Sequence, residues 1–448
     1  MALPPVRSWF TSQDGVAARL QPQPTFHTLP WAESDPPPSG VGQVIRLDPA
    51  RRMQSILGFG SSFEEASVYH LARMSVATRR RVLTDLLHPT EGIGWNLMRI
   101  CFGSSDFTGR PYYTYDDLPP GETDPDLAHF SIQHDIDYHI LDILREAQSI
   151  NPAVKFFASP WSPPGWMKSE GQLGGGWLLP QYAAVAARYY RRAVQAYAAE
   201  CVPIHALTLQ NEPLMAHPGY PTCAFTWEEQ SALLHHVHAE FSAHGLDTEI
   251  WIFDHNFSDV LDFAGSILAD APSYPMVDGV ALHDYEGEPE QMGQLHDRFP
   301  AKDIYFTERS TWGAAGIDRI LQYLRHWARS YTAWVTCLDD RQQPNAGPHP
   351  CDPTFVTVDR DDPERYHYIP EYYLLGQISR FVQRGARRIA GDYGSADTVT
   401  TAAFSNPDGS TVLVAVNQTA REQPFAALFP GGQVRAALPA ETVGTFVW

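Results

Sequence analysis

Leu207-Thr208-Leu209-Gln210-Asn211-Glu212-Pro213, the stretch LTLQNEP, closes an apolar run that begins at Ile204. That run has the length and composition of a buried strand. Its last apolar residue is followed by two amides, a carboxyl group and Pro213, which stops further ladder pairing. Asp303 to Ser310, DIYFTERS, repeats the design: a short apolar strand ending in Thr307 and Glu308. A single Glu among 52 acidic residues is ordinarily a solvated or helix-capping group. These two follow apolar strands directly, where no helix turn exposes them. They are expected to face one another across a cleft.

Working outward, six further apolar runs resemble these two. The strand candidates are Ile56–Phe59, Trp95–Cys101, Val154–Ala158, Ile204–Leu209, Glu249–Phe253, Val277–Leu282, Asp303–Phe306 and Thr332–Cys337. Helical periodicity falls between them: Glu64–Leu71 with Thr78–Leu87, His134–Gln148, Gln181–Ala199, Trp227–His244, Val260–Ala269, Glu288–His296, Ile317–Ala328 and Tyr372–Val382. Ser62-Phe63-Glu64-Glu65 reads as a capping box for the first helix. The alternation predicts an α/β fold, a (β/α)8 barrel over residues 49–384. Glu212 and Glu308 lie 96 residues apart, three units of 32, which places them at the ends of strands four and seven. Active sites of this architecture lie at those strand ends. Residues 1–48 are rich in Pro, with strand-like Val6–Phe10 and Val44–Leu47. Residues 385–448 hold short alternating strands, Arg388–Asp392, Val399–Phe404, Thr411–Asn417 and Thr442–Trp448. Both chain ends are expected to build one side β-sandwich, since a lone hairpin is marginal.

Composition narrows the function. The chain of 448 residues carries a formal net charge of −20. Its field repels nucleic acid and anionic membranes, and a neutral carbohydrate or glycoconjugate suits it better. No run reaches the roughly 18 uninterrupted apolar residues of a membrane span. Five cysteines (Cys101, Cys201, Cys223, Cys337, Cys351) show no CxxC spacing, so neither a disulfide framework nor a zinc site is indicated. MALPPVRSWF lacks the charged and apolar regions of a signal peptide, which leaves a cytoplasmic protein or a secreted one with its signal removed. His235, His236 and His238 point to different sides of a helix. Gly174-Gly175-Gly176 lacks a phosphate-binding pattern, and no Gly-x-Ser-x-Gly elbow occurs. Asp116-Asp117 and Asp361-Asp362 are loop pairs whose oxygens would suit calcium, on weak grounds. No metal and no cofactor is expected.

Paired carboxyl groups at strand ends fit glycoside hydrolysis, in which one protonates the leaving oxygen and the other attacks the anomeric carbon. Asn211 beside Glu212 suits a hydrogen bond to a sugar hydroxyl. LTLQNEP, FTERSTWG, GFGSSFEEA, MRICFGSSDF and FFASPWSPPGW, in this order and spacing, resemble glycoside hydrolase family 30, nearest its glucosylceramidase-like branch. The resemblance covers nearly the whole chain. It implies a barrel with a side β-sandwich and retention of anomeric configuration, with Glu212 as general acid/base and Glu308 as nucleophile. By the same matching, Asp106 would bind hydroxyls of the sugar, Trp161 would form its aromatic wall, and Arg99 would pair with the nucleophile. His283 and Tyr285 would lie near the nucleophile, with Tyr285 donating to it, and Trp334 would be an aromatic of the eighth strand or a packed core Trp. Asp284 stands where the branch carries an aromatic, and the loop Leu338–Pro363 departs from it, with Asn345 only loosely matched.

The acid/base cycle asks for Glu212 protonated and Glu308 ionised, and burial together with the charge of Glu308 is expected to raise Glu212. The leading reading is a retaining β-glycosidase acting on β-glucosides or closely related sugars. Alternatives are β-1,6-glucanase, β-xylosidase, β-fucosidase or β-galactosidase activity, an inverting hydrolase, or a carbohydrate-binding protein on a barrel scaffold. Oligomeric state is not legible.

Overall fold

The computed structural model describes residues 4–350 and 354–448, so Cys351 and part of the Leu338–Pro363 loop lie outside the described residues. The chain opens with β1 (Pro5–Ser12) and β2 (Gln43–Ser55), which belong to a side sheet. The barrel strands follow: β3 (Gly58–Gly60), β4 (Leu97–Phe102), β5 (Lys155–Pro160), β6 (Ile204–Thr208), β7 (Glu249–Asn256), β8 (Gly279–His283), β9 (Asp303–Glu308) and β10 (Ser330–Thr332). Strands β4 to β9 pair in parallel in chain order, and β10 pairs in parallel with β3. Backbone hydrogen bonds close the ring. Phe63 N donates to Arg99 O at 2.8 Å between β3 and β4, and Arg329 N donates to Ile304 O at 2.8 Å between β10 and β9.

The barrel interior changes character along its axis. Near the strand starts it is filled by Leu97, Phe157, Ala206, Trp251, Ala281 and Tyr305, with Trp251 stacked on Tyr305 at 3.9 Å. Side chains on one face of a strand recur every second residue. The next inward layer is therefore Arg99, Ser159, Thr208, His283 and Thr307, and it is polar. On β7 the register against β8 slips after Phe253, so Asp254 is skipped; Phe253 and Asp254 both take positive φ, 74° and 66°. This bulge brings Asp254 into the polar layer, a re-aiming that bulges at barrel rims commonly serve.

The eighth strand differs from the sequence expectation. It ends at Thr332, and Ala333 N still donates to Gly60 O at 3.0 Å before the chain leaves the ring. Cys337–Asp339 then pairs with Val356–Val358 in a separate small sheet. The first helix, Glu65–Arg73, is capped by Glu64, which accepts from Ser67 N at 2.8 Å; the expected box on Ser62 does not form, because Glu65 is already helical. The expected helix His134–Gln148 is two pieces, Gln133–Asp137 and Ile140–Ile150, broken where His139 takes φ 67°. Remaining element ends shift by a few residues.

The side sandwich uses β11 (Arg387–Gly391), β12 (Thr400–Ser405), β13 (Thr411–Asn417), β14 (Gln423–Phe429), β15 (Gly432–Leu438) and β16 (Thr442–Val447). Their order, β1-β16-β13-β12-β11-β2-β14-β15, interleaves strands from both chain ends. Helix Pro370–Ser379 docks on it, with Gln377 hydrogen-bonded to Thr11 and Thr445. No helix among the described residues is long and apolar enough to cross a membrane.

Candidate active site

Arg99, fully buried on β4, organises the polar layer. Its Nη1 contacts Glu308 Oε2, its Nη2 donates to Asn211 Oδ1 at 2.7 Å and Asp254 Oδ2 at 2.8 Å, and its Nε donates to Ser159 Oγ at 3.0 Å. Its guanidinium lies 4.7 Å from the Trp161 ring and 5.4 Å from the Trp334 ring, which stack on each other at 5.0 Å. Five strands thus contribute to a single cation. A buried guanidinium is stable only when paired and hydrogen-bonded, and this one is both.

Glu308 ends β9. Its Oε1 accepts from Tyr285 Oη at 2.8 Å, while Oε2 meets Arg99 and lies 3.8 Å from His283 Nε2. Glu212, just beyond β6, takes φ 48°, a left-handed conformation uncommon for a residue with a Cβ. Its backbone N donates to Asp254 O at 3.0 Å, which fixes that turn. Its Oε1 lies 3.3 Å from His283 Nδ1 and 3.8 Å from His255 Nδ1. One imidazole, His283, therefore stands within 4 Å of both glutamates through its opposite nitrogens.

Asp254 was not singled out by the sequence. It is fully buried, and accepts from Thr307 Oγ1 and Thr208 Oγ1 at 2.7 Å each, from Ser159 Oγ at 3.0 Å, and faces His283 Nε2 at 3.1 Å. Against its burial, Arg99 and His283 hold its carboxyl far below the usual range. The signal was present: IWIFDHN is another apolar strand ending in a carboxylate, the same design as LTLQNE.

The pKa pattern departs from expectation at Glu212. Burial is the strongest influence and pushes it up, but the hydrogen bond and charge of His283, then the charges of His255 and Arg99, outweigh it and leave Glu212 below its ordinary value. His283 moves the other way. Burial alone would lower it, and the carboxylates of Glu308, Asp254 and Glu212 raise it to about 9. Asp106, buried beyond the end of β4, is pushed up to about 8 by burial and then by the charge of Glu308.

A cavity of about 360 Å3 opens beside these groups, lined in part by Phe107, Met215, Tyr220 and Asn256. Asp106, Trp161, Asn211, Glu212, Tyr285, Glu308 and Trp334 all face it, so the structure gathers seven of the nine sequence candidates at one opening. Arg99 and His283 lie behind it. Asp284 turns away, ion-paired to Arg319 Nε at 2.7 Å. Asn345 stays within its own loop, donating to His349 O at 2.8 Å. That loop nonetheless builds a wall. Ala346 N and Gly347 N each donate to Asp106 O at 3.0 Å, and His349 and Pro350 reach the cavity. A Cβ on Gly347 would come within 2.6 Å of Asp106 Cβ, so only glycine permits this approach. Glu286, Arg309 and His349 also line the opening, beside Tyr285, Met215 and Pro350. Among the described residues, two trios have donor atoms close enough to share a metal ion: Glu212, His255 and His283, and Asp116, Asp124 and His129.

The family model of the glycosyl hydrolase family 30 TIM-barrel domain matches residues 56–382, and that of its beta-sandwich domain matches residues 385–446. The chain belongs to glycosyl hydrolase family 30. It is a retaining glycoside hydrolase, and its substrate is a carbohydrate. It is similar to an endo-1,6-beta-D-glucanase of Trichoderma harzianum, 31% identical over 81% of this chain and 78% of the relative. It is also similar to the lysosomal acid glucosylceramidase of Mus musculus, 26% identical over 92% of this chain and 84% of the relative. Among solved structures, an endo-beta1,6-glucanase superposes with a TM-score of 0.88 at 27% identity, covering 99% of both chains. The barrel and sandwich expected from the sequence are those of this family 30 enzyme.

Proposed function

We propose that this family 30 enzyme hydrolyses β-linked glucosides, with β-1,6-linked glucan as its substrate, and that Glu308 is the nucleophile and Glu212 the general acid/base. The observation that carries the role assignment is the asymmetric seating of the two carboxyl groups. Glu308 is clamped by Arg99 and Tyr285, as befits an anion that must attack in a fixed direction. Among the described residues no arginine ion-pairs with Glu212, and the charged groups beside its carboxyl are the imidazoles of His283 and His255, so its proton can come and go. In the first step Glu308 attacks the anomeric carbon as Glu212 protonates the departing glycosidic oxygen. In the second, Glu212 deprotonates a water, which displaces Glu308 and restores the β configuration. The hydrogen bond and charge of His283 favour the ionised form of Glu212. A neutral sugar filling the cavity excludes water and deepens the burial of Glu212, which favours the protonated acid.

The glucan reading rests on two supports. The similar proteins of Trichoderma harzianum and of the superposed structure are named endo-1,6-glucanases. Glu286, Arg309 and His349 in the cavity lining offer charged and hydrogen-bonding groups, which suit a hydroxylated leaving group. Turnover of β-1,6-glucan against β-glucosylceramide and aryl β-glucosides, -xylosides, -fucosides and -galactosides, with product configuration followed by NMR, tests this. β-1,6-Glucan hydrolysed fastest, with β product first, is the expected result. Preference for the glycolipid or for a xyloside would overturn the substrate, and α product would overturn the mechanism.

A further inference from the structure

Glu212 sits between two imidazoles. His283 Nδ1 is 3.3 Å and His255 Nδ1 is 3.8 Å from the same Oε1. The three donor atoms lie within 4.8 Å of one another. Nothing in hydrolysis requires the second imidazole. His255 is 6% exposed, and its Nδ1 is buried with no hydrogen-bond partner. A buried, unpartnered nitrogen is costly unless something binds it. On the far side of His283, Nε2 faces Asp254 Oδ1 at 3.1 Å. A carboxylate behind an imidazole whose other nitrogen points at a shared centre is the arrangement that orients histidine ligands toward a metal. The centre borders the cavity through Glu212, which gives an ion a way in and leaves room for water or substrate oxygen on its open side.

We propose that Glu212, His255 and His283 bind one borderline divalent cation, zinc, nickel or copper(II), and that its binding blocks hydrolysis. Two nitrogens and one carboxylate oxygen suit these ions; calcium and magnesium prefer all-oxygen sites. The ion takes the place of the Nδ1 proton of His283, which is released to solvent while Nε2–H stays on Asp254, and it ties up the carboxyl group that must carry the proton. The inhibitory half rests on the role proposed for Glu212, whereas the binding half does not.

Calorimetric titration of the full chain with zinc chloride tests the binding. One site per chain is expected, weakened about tenfold or more in His255→Gln and in Glu212→Gln and unchanged in Cys201→Ser, which removes an exposed thiol far from the trio. Anomalous scattering at the zinc edge should place the ion among the three side chains, and this reading does not depend on either variant folding. Zinc bound equally well by His255→Gln, or a zinc peak elsewhere, overturns the site and leaves the catalytic reading untouched. Zinc-saturated enzyme should lose hydrolysis of an aryl β-glucoside and regain it with EDTA. Full hydrolysis at zinc saturation overturns the inhibition and counts against Glu212 as acid/base.

Discussion

At the barrel mouth Arg99, Asp254, His283 and Glu308 are all buried, and each lies within 4 Å of at least two of the others. In the side sandwich Val6, Ile45, Leu413, Phe425, Val434 and Phe446 pack as a buried apolar cluster. One chain therefore contains two cores built by opposing rules. The sandwich gains stability from apolar area removed from water. The mouth keeps charges out of water at a desolvation cost that pairing only partly offsets. Burial there preserves geometry, because each group is fixed by partners that would be stranded if it moved.

Several substitutions would break or sharpen this contrast. Glu308→Ala should lower kcat on an aryl β-glucoside on the order of 10^4-fold or more, as loss of a nucleophile does, and should also lower thermal stability, because buried Arg99 loses one of its two carboxylate partners. Near-native turnover by a variant free of wild-type contamination would contradict it. Arg99→Ala should cost both properties, about 3–5 kcal/mol of stability, because Asp254 and Glu308 would be left buried and unpaired. Denaturant unfolding measures this, and a loss under about 1 kcal/mol would mean that the network does not bear on folding. Phe446→Ala should cost a comparable 3–5 kcal/mol by opening a cavity in the sandwich. Its kcat per folded molecule should stay at the wild-type value, and a drop in kcat without a drop in stability would erase the distinction between the two cores.

The smallest effect is the pH dependence of stability. His283 is held near 9, above the roughly 6.5 of an unfolded imidazole, so its contribution is complete below about 6.5 and is lost as pH rises through about 9. Asp106, pushed up to about 8, has the same sign: the native state holds a proton that the unfolded chain releases near 4. Asp254 runs oppositely, and its contribution is lost only in strong acid. The melting temperature should be higher at pH 6 than at pH 9, and His283→Gln should narrow the difference. A profile rising toward pH 9 would contradict these assignments.

Strand periodicity is what made the barrel legible. Ile204–Leu209 and Asp303–Phe306 are short, apolar and sharply ended, and their ends mark Glu212 and Glu308. Arg99, Asp106, Trp161, His283, Tyr285 and Trp334 came through the family resemblance. Asp254 escaped because the apolar run Glu249–Phe253 stops three residues short of the strand's end at Asn256, and a bulge, which leaves no mark in hydrophobic periodicity, turns Asp254 inward. The eighth strand was drawn too late because Thr332–Cys337 is apolar for a different reason: Trp334 and Val335 pack at the mouth with Trp161 and Phe107. The hairpin of β14 and β15 was missed although Gly431 supplies the positive φ, 84°, that its turn needs. The lowered pKa of Glu212 could not be read from sequence, since it depends on which histidine nitrogen meets which carboxyl oxygen.

In the proposed mechanism Glu308 bonds to the sugar while Glu212 handles the proton. Peptide mass spectrometry after trapping with a 2-deoxy-2-fluoro β-glucoside bearing an activated leaving group tests it most directly. One sugar attached at Glu308, in the peptide containing FTERS, is the expected result. A sugar on Glu212, on Asp254 or on no residue at all, from enzyme that turns over the parent glucoside, would contradict it.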